Sequence, residues 1–194
     1  APCNTFAPCK FETFKPQKPT VPAALIAVGT VEVCSDGFKS LNREVRDGMG
    51  RLRGGDRYIH ADDYVQYLPL AAHLGLGCIG VRSRHSFRER LAIDATAYLS
   101  MGILVNATKY SVRERRPGSG ARNSFPSGHT ATAFMGAELA RMEYGTGIGI
   151  GAYALDSGVA FLRLYNNRHW LSDVVAGTGI GILSARIGHW MLPL

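Results

Sequence analysis

Three short stretches of the 194-residue chain hold residue types that can act together on an anion. Lys109, Arg116 and Arg163 supply fixed positive charge, and an arginine fork matches a tetrahedral oxyanion in shape. Pro126-Ser127-Gly128-His129 reads as the opening of a helix. Proline suits the first turn, Gly128 lets a ligand approach the backbone, and free N–H groups of Ser127, Gly128 and His129 lie at the positive end of the dipole. His169 and Asp173 stand four residues apart and share a helical face. The carboxylate then fixes the imidazole tautomer and leaves the other ring nitrogen as a nucleophile. His129, on a neighbouring helix, is positioned to protonate a leaving alkoxide. Two imidazoles with opposite protonation needs, inside a cation clamp, describe phosphoryl transfer through a phosphohistidine. The lysine and arginines neutralise the developing charge, so this chemistry calls for no metal and no cofactor. No Cys/His spacing of a structural zinc site occurs either.

The elements that must hold these residues follow from hydrophobic patterning. Five apolar segments run over Tyr64–Val81, Arg90–Lys109, Ser127–Glu143, Gly147–Arg163 and His169–Trp190. None alternates with period two, and Ala, Leu, Gly and Met outnumber the strand-favouring residues. With the apolar run from Pro22 to Cys34 they predict an all-α bundle of six main helices. Phe38, Leu41, Val45 and Met49 recur at helical spacing beside a charged face, predicting an amphipathic surface helix that lies on a membrane or covers the bundle. Residues 1–20 hold four prolines and read as an extended arm, leaving residues 21–194 as a single helical domain. In an up-and-down bundle the end of one helix, the start of the next, and the same pair two helices later all lie on one side. The three motifs therefore converge on one mouth.

Composition narrows the partners. Lys plus Arg is 22 against 15 acids, a net charge of +7, which suits phosphate or an anionic membrane surface. The aromatic residues are scattered and form no base-stacking platform, so nucleic acid is not an expected partner. Mean hydropathy is −0.01. A membrane span needs about 20 apolar residues, and here Pro69, His73, Asp94, Glu138 and Asp156 interrupt the segments. Such residues face a bundle interior, with the carboxylates paired to Arg or His. Membrane association is the leading expectation and a freely soluble bundle the alternative. Arg82, Arg84, Arg88 and Arg90 form a basic turn at the end away from the motifs, which the positive-inside rule would place in the cytoplasm. Cys34 and Cys78 read as core thiols, and Cys3 and Cys9 could pair in an oxidising compartment. The chain begins at Ala1, as a processed export product or a trimmed chain would.

The motifs resemble the signature of the type 2 phosphatidic acid phosphatase (PAP2) superfamily, which is K-x6-R-P, P-S-G-H and S-R-x5-H-x3-D. Lys109, Arg116 and Pro117 match the first part, residues 126–129 the second, and Arg163, His169 and Asp173 the third. Leu162 stands where the family usually has serine, removing a hydroxyl near the phosphate. The resemblance implies a six-helix bundle of the PAP2/vanadium haloperoxidase type. It implies His169 as nucleophile, His129 as general acid and Asp173 as the orienting carboxylate, with Lys109, Arg116, Ser127, Gly128 and Arg163 holding the phosphate. Arg122 and Asn123 could touch the rest of the substrate, although a solvated loop is the plainer reading. The implied substrate is a phosphorylated lipid such as phosphatidate, phosphatidylglycerol phosphate, undecaprenyl pyrophosphate or lipid A, with vanadate as an inhibitor. The implied location is a bacterial inner membrane with the site facing the periplasm. A soluble periplasmic acid phosphatase acting on small phosphate esters is the alternative, and a vanadium-dependent haloperoxidase a more distant one.

Overall fold

The computed structural model describes residues 18–35, 39–55 and 57–192. Among these, every regular element is helical. The elements are α1 (Thr20–Cys34), α2 (Lys39–Arg53), α3 (Ala61–Val65), α4 (Leu68–Gly75), a 3-10 turn (Leu76–Ile79), α5 (Phe87–Val112), α6 (Gly128–Tyr144), α7 (Thr146–Tyr165) and α8 (Leu171–Trp190). The all-α expectation is met, but the count of six is not confirmed. The segment expected as one helix over Tyr64–Val81 is broken into α3, α4 and the 3-10 turn. Pro69 explains one break, because proline belongs in the first turn of a helix and sits there in α4. Most of the arm, including Cys3 and Cys9, lies outside the described residues. Of its last residues, the Lys18 carbonyl accepts from Arg186 Nη1 at 2.6 Å, and Thr20 already opens α1.

Helices α6 and α8 form the centre, and both are buried around most of their circumference. Glycines let α8 press against its neighbours. A Cβ at Gly181 would stand 2.3 Å from the Ala131 carbonyl oxygen, and one at Gly177 would stand 2.6 Å from that of Ser127. Such approach is open only to a residue without a side chain. Around this pair the core is built of Ile93, Ala97, Met101 and Val105 from α5, Ala131, Met135, Leu139 and Met142 from α6, and Ile180 and Ala185 from α8.

The ends of the long helices are locally encoded. Ser86 and Glu89 close a reciprocal capping box at the start of α5, with the Ser86 N–H donating to Glu89 Oε2 at 2.7 Å. That helix stops at Arg113, whose φ of 53° is left-handed. Helix α6 is capped by Ser127, whose Oγ accepts from the Thr130 N–H. Pro126, expected within the first turn, therefore precedes the helix. Helix α2 has the expected surface character: Asn42 is its only buried residue, while Leu41 and Leu52 are exposed.

Three other expectations are resolved here. Glu138 accepts from Arg141 at 2.6 Å and Arg186 at 3.0 Å, and Asp94 meets His73 at 2.6 Å. Asp156 is fully buried and accepts no hydrogen bond among the described residues. Cys34 and Cys78 are exposed and not core thiols, because one ends α1 and the other lies in the 3-10 turn at the bundle's far end. Arg90 leaves the expected basic turn: it is buried in the first turn of α5, donating to the His73 carbonyl at 3.0 Å.

Candidate active site

The end of α5, the start of α6, the end of α7 and the start of α8 meet at one end of the bundle, bringing the three motifs together. The Ser127 N–H donates to the Asp173 carbonyl at 2.9 Å, fastening the second motif to the third. Lys109 Nζ donates to the carbonyls of Asn123 and Pro126, each at 2.8 Å, fastening the first to the second. An ammonium has three donors, so one remains for a ligand.

His169 lies in the turn between α7 and α8 and is 4% exposed. Its Nδ1 is 3.1 Å from Asp173 Oδ2. The same oxygen accepts from the Trp170 N–H at 2.8 Å and from the Ser124 hydroxyl. A carboxylate oxygen can only accept, so it selects the tautomer with hydrogen on Nδ1 and leaves Nε2 with its lone pair free. Burial, reinforced by Arg116 and Arg163, pushes the His169 pKa down to about 4 against the opposing pull of Asp173. The ring is therefore neutral at physiological pH, as a nucleophile must be.

Two cations lie close by. Arg163 is buried at the end of α7, and its Nη1 donates to Asp62 Oδ2 at 2.5 Å and to Asp63 Oδ1 at 3.3 Å. Its Nε is buried with no acceptor among the described residues. Arg116 donates through Nε to Asn123 Oδ1 at 2.8 Å. Desolvation, then the nearby Arg163 and Arg168, hold its pKa below the ordinary guanidinium value. Such crowding of like charge is relieved by an anion.

His129, in the first turn of α6, has its Nε2 3.0 Å from Asp63 Oδ1. Desolvation would raise the Asp63 pKa, but the hydrogen bond and charge of His129 prevail, with Arg163 and His60, and lower it. Of the first N–H groups of α6, that of Ser127 is taken by Asp173 and that of Thr130 by the Ser127 hydroxyl. Those of Gly128 and His129 are the helix's remaining orphan donors. Ser127 is fully buried, so its side chain serves as a cap and contributes to the mouth through the helix it starts.

Sequence reasoning missed five residues of this end. Asp62 and Asp63 hold Arg163 and His129. Ser124 holds Asp173, and Asn166 bonds the Ile59 backbone in both directions. Asn42 exchanges hydrogen bonds with Ser172 at 3.1 Å, seating α2 beside the mouth. One signal was available: the up-and-down argument that placed the motifs also places the start of the next earlier segment, at residues 62–64, on the same side. Asn123 proves more than a solvated loop residue, since it holds both Arg116 and Lys109. Arg122 is exposed.

A helical bundle with two histidines, two paired carboxylates and an arginine-lysine clamp at one mouth defines an anion-handling class of protein. The profile of the PAP2 superfamily matches residues 90–194, more than half of the chain, and the chain belongs to that superfamily. A lipid A 1-phosphatase of Porphyromonas gingivalis is 39% identical over 161 residues, covering 79% of this chain and 36% of that protein. The chain thus spans about a third of that relative. Two solved structures are similar in fold. The transmembrane PAP2-type phosphatidylglycerolphosphate phosphatase of Bacillus subtilis has a TM-score of 0.63 at 17% identity, with 88% of this chain and 94% of that one covered. LpxE of Aquifex aeolicus has a TM-score of 0.56 at 21% identity, with 78% and 93% covered.

Proposed function

We propose that this protein is a phosphatase that removes a phosphate group from a lipid through a phosphohistidine, with lipid A the favoured kind of substrate. The observation that carries the reading is the desolvated His169, held through Nδ1 by Asp173 with Nε2 free beside Arg116 and Arg163. The 39% identity to a lipid A 1-phosphatase supports the substrate class.

In the first step His169 Nε2 attacks phosphorus, a P–N bond forms, and the bond from phosphorus to the leaving oxygen breaks. Asp173 stabilises the positive imidazole that results, keeping the Nδ1 proton in place. His129 gives its proton to the leaving oxygen; burial and then Arg163 hold its pKa below the ordinary imidazole value, and Asp63 is the carboxylate that opposes them. Water then attacks phosphorus, His129 takes the water's proton, and the P–N bond breaks to restore His169. Arg163, Arg116, Lys109 and the N–H groups of Gly128 and His129 stabilise the equatorial oxygens throughout.

The outer surface supports a membrane setting. Helix α5 is long and apolar enough to cross a bilayer, and it exposes Leu91, Leu99 and Ile103. Helix α1 exposes Val21, Val28 and Val31, and α7 exposes Ile150, Leu155 and Phe161. We place the protein at a bacterial inner membrane with its mouth on the periplasmic side, where a lipid headgroup can enter.

Phosphate release from a micellar lipid phosphate and from a small soluble ester, with wild type and His169→Ala side by side, tests the proposal. Release from the lipid with a dead variant is expected. A preference for the soluble ester would move the assignment to an acid phosphatase, and equal activity of the variant would overturn the nucleophile.

A further inference from the structure

Beside the mouth lies a cavity of about 270 Å³ that the phosphatase reading leaves unused. Its described lining includes Arg53, Arg57, Tyr58, Arg116, Asn167 and Arg168, with no acidic residue among them. The arginines come from separate parts of the chain: the end of α2, the loop that follows it, the loop after α5, and the turn between α7 and α8.

Several are fixed from behind. Arg53 donates through Nε to the Gly55 carbonyl at 2.9 Å and through Nη1 to that of Tyr165 at 3.2 Å. Arg168 donates through Nε to the Tyr58 hydroxyl at 3.3 Å and lies over that ring at 5.0 Å. Arg116 is held through Nε by Asn123. Anchoring a guanidinium by Nε leaves its outer nitrogens as a fork for an oxyanion. Asn167 also lines the cavity, and its Oδ1 is buried with no donor among the described residues. Asn167 stands at φ 56°, a left-handed position that asparagine tolerates.

Four guanidinium groups around a cavity with no acid among its described lining repel one another, and a multiply charged oxyanion relieves that repulsion. Arg116 belongs to both this cavity and the catalytic clamp, so whatever binds here is adjacent to the scissile phosphate. We infer that the cavity is a second anion subsite, holding a further phosphate group of the same substrate next to the one removed. A diphosphate has this spacing, since one guanidinium can bridge two phosphates joined through a shared oxygen. The inference rests on the phosphatase reading of the neighbouring mouth.

The test uses two lipids that differ only in carrying a monophosphate or a diphosphate, hydrolysed by wild type and by Arg57→Gln/Arg168→Gln. Neither arginine is part of the catalytic clamp. The variant is expected to raise KM for the diphosphate about tenfold, the scale of one charge-assisted hydrogen bond, and to leave kcat and KM for the monophosphate unchanged. The unchanged monophosphate rate also reports that the variant is folded. An equal KM change on both lipids, or none on either, overturns the subsite. Inorganic phosphate as competitor separates the sources. If the variant weakens inhibition by free phosphate while the diphosphate KM stays put, the cavity holds product and the assignment to a substrate group fails. Calorimetry with inorganic pyrophosphate tests the subsite without catalysis. Binding is expected to weaken by the same factor in the variant, and equal binding overturns the inference even if the protein hydrolyses no lipid.

Discussion

The sharpest test of the proposed proton path is Asp63→Asn. This change keeps the shape of the side chain and removes its charge. Asp63 Oδ1 lies 3.0 Å from His129 Nε2 and 3.3 Å from Arg163 Nη1, so the two consequences run in opposite directions. Losing the carboxylate makes His129 a poorer proton holder, while Arg163 keeps only Asp62 as a counter-charge among the described residues and offers more of its charge to the substrate. The magnitude follows from the site's exposure. The Asp63 side chain is 38% exposed, so solvent screens the pair and its interaction is at most about 1 kcal/mol, well below that of a buried pair. Removing it adds to the lowering of the His129 pKa that burial and Arg163 already impose. The base limb of the kcat–pH profile reports protonated His129 in the complex and is expected to move toward acid. At neutral pH, kcat on an alkyl phosphate is expected to fall up to about fivefold with KM unchanged or lower. A nitrophenyl phosphate, whose leaving group needs no proton, is expected to keep its kcat. The assay is steady-state phosphate release across pH on both substrates. Equal losses on the two, or a base limb that stays in place, would refute the role given to Asp63.

Other outcomes follow from the same geometry. His129→Ala should lower kcat on an alkyl phosphate by about 10²–10⁴ and on a nitrophenyl ester far less; equal losses would remove it as the general acid. His169 is held neutral from its ordinary 6.5 down to about 4, so the acid limb of kcat/KM should fall well below pH 6. The unfolded chain takes up this proton first, so stability should decline as pH drops through the same window, and His169→Gln should flatten a plot of melting temperature against pH there. Gly181→Ala would bring a Cβ to 2.3 Å from the Ala131 carbonyl and should destabilise the bundle by about 1–3 kcal/mol in denaturant unfolding; an unchanged midpoint would contradict the close packing. Vanadate should inhibit competitively while EDTA leaves activity intact, and loss in EDTA with recovery on adding zinc or magnesium would count against the metal-free route.

Much of the candidate site was legible because its signal is local. His169 and Asp173 are four positions apart; His169 precedes α8 and does not share its helical face as expected, yet the chain entering the helix still brings Nδ1 to 3.1 Å from the carboxylate. Helix direction then brings Lys109, His129 and Arg163 to the same end without any knowledge of packing. What stayed hidden is held by partners far away in sequence. Asp62 meets Arg163 across 101 positions, and Asn42 meets Ser172 across 130. No periodicity predicts such pairs, because each depends on where a loop crosses the bundle's end. The break at residues 65–68 was hidden for another reason. Apolar patterning runs through it unchanged, and only Pro69 marks that a new helix starts there. Cys34 and Cys78 show the limit of hydrophobic context: apolar neighbours in sequence do not bury a residue on the outward side of a helix end.

The catalytic spacing is also set by residues that carry no chemistry. His129 and His169 are presented by different elements, and the gap between them depends on how closely α6 and α8 approach. Gly177 meets the Ser127 carbonyl nearly two turns into α8, and Gly181 meets Ala131 one turn further on. That contact lets the Ser127 N–H reach the Asp173 carbonyl at 2.9 Å. The bond ties the helix carrying the proposed acid to the first turn of α8, which holds the proposed nucleophile through Asp173. A larger residue at 177 would act at the mouth itself, prying Ser127 from Asp173, whereas one at 181 acts a turn deeper in the core. Both widen the same interface, but only the first changes the relation between the two histidines directly. The glycines of α8 are therefore part of the site's construction, although none of the three motifs contains them.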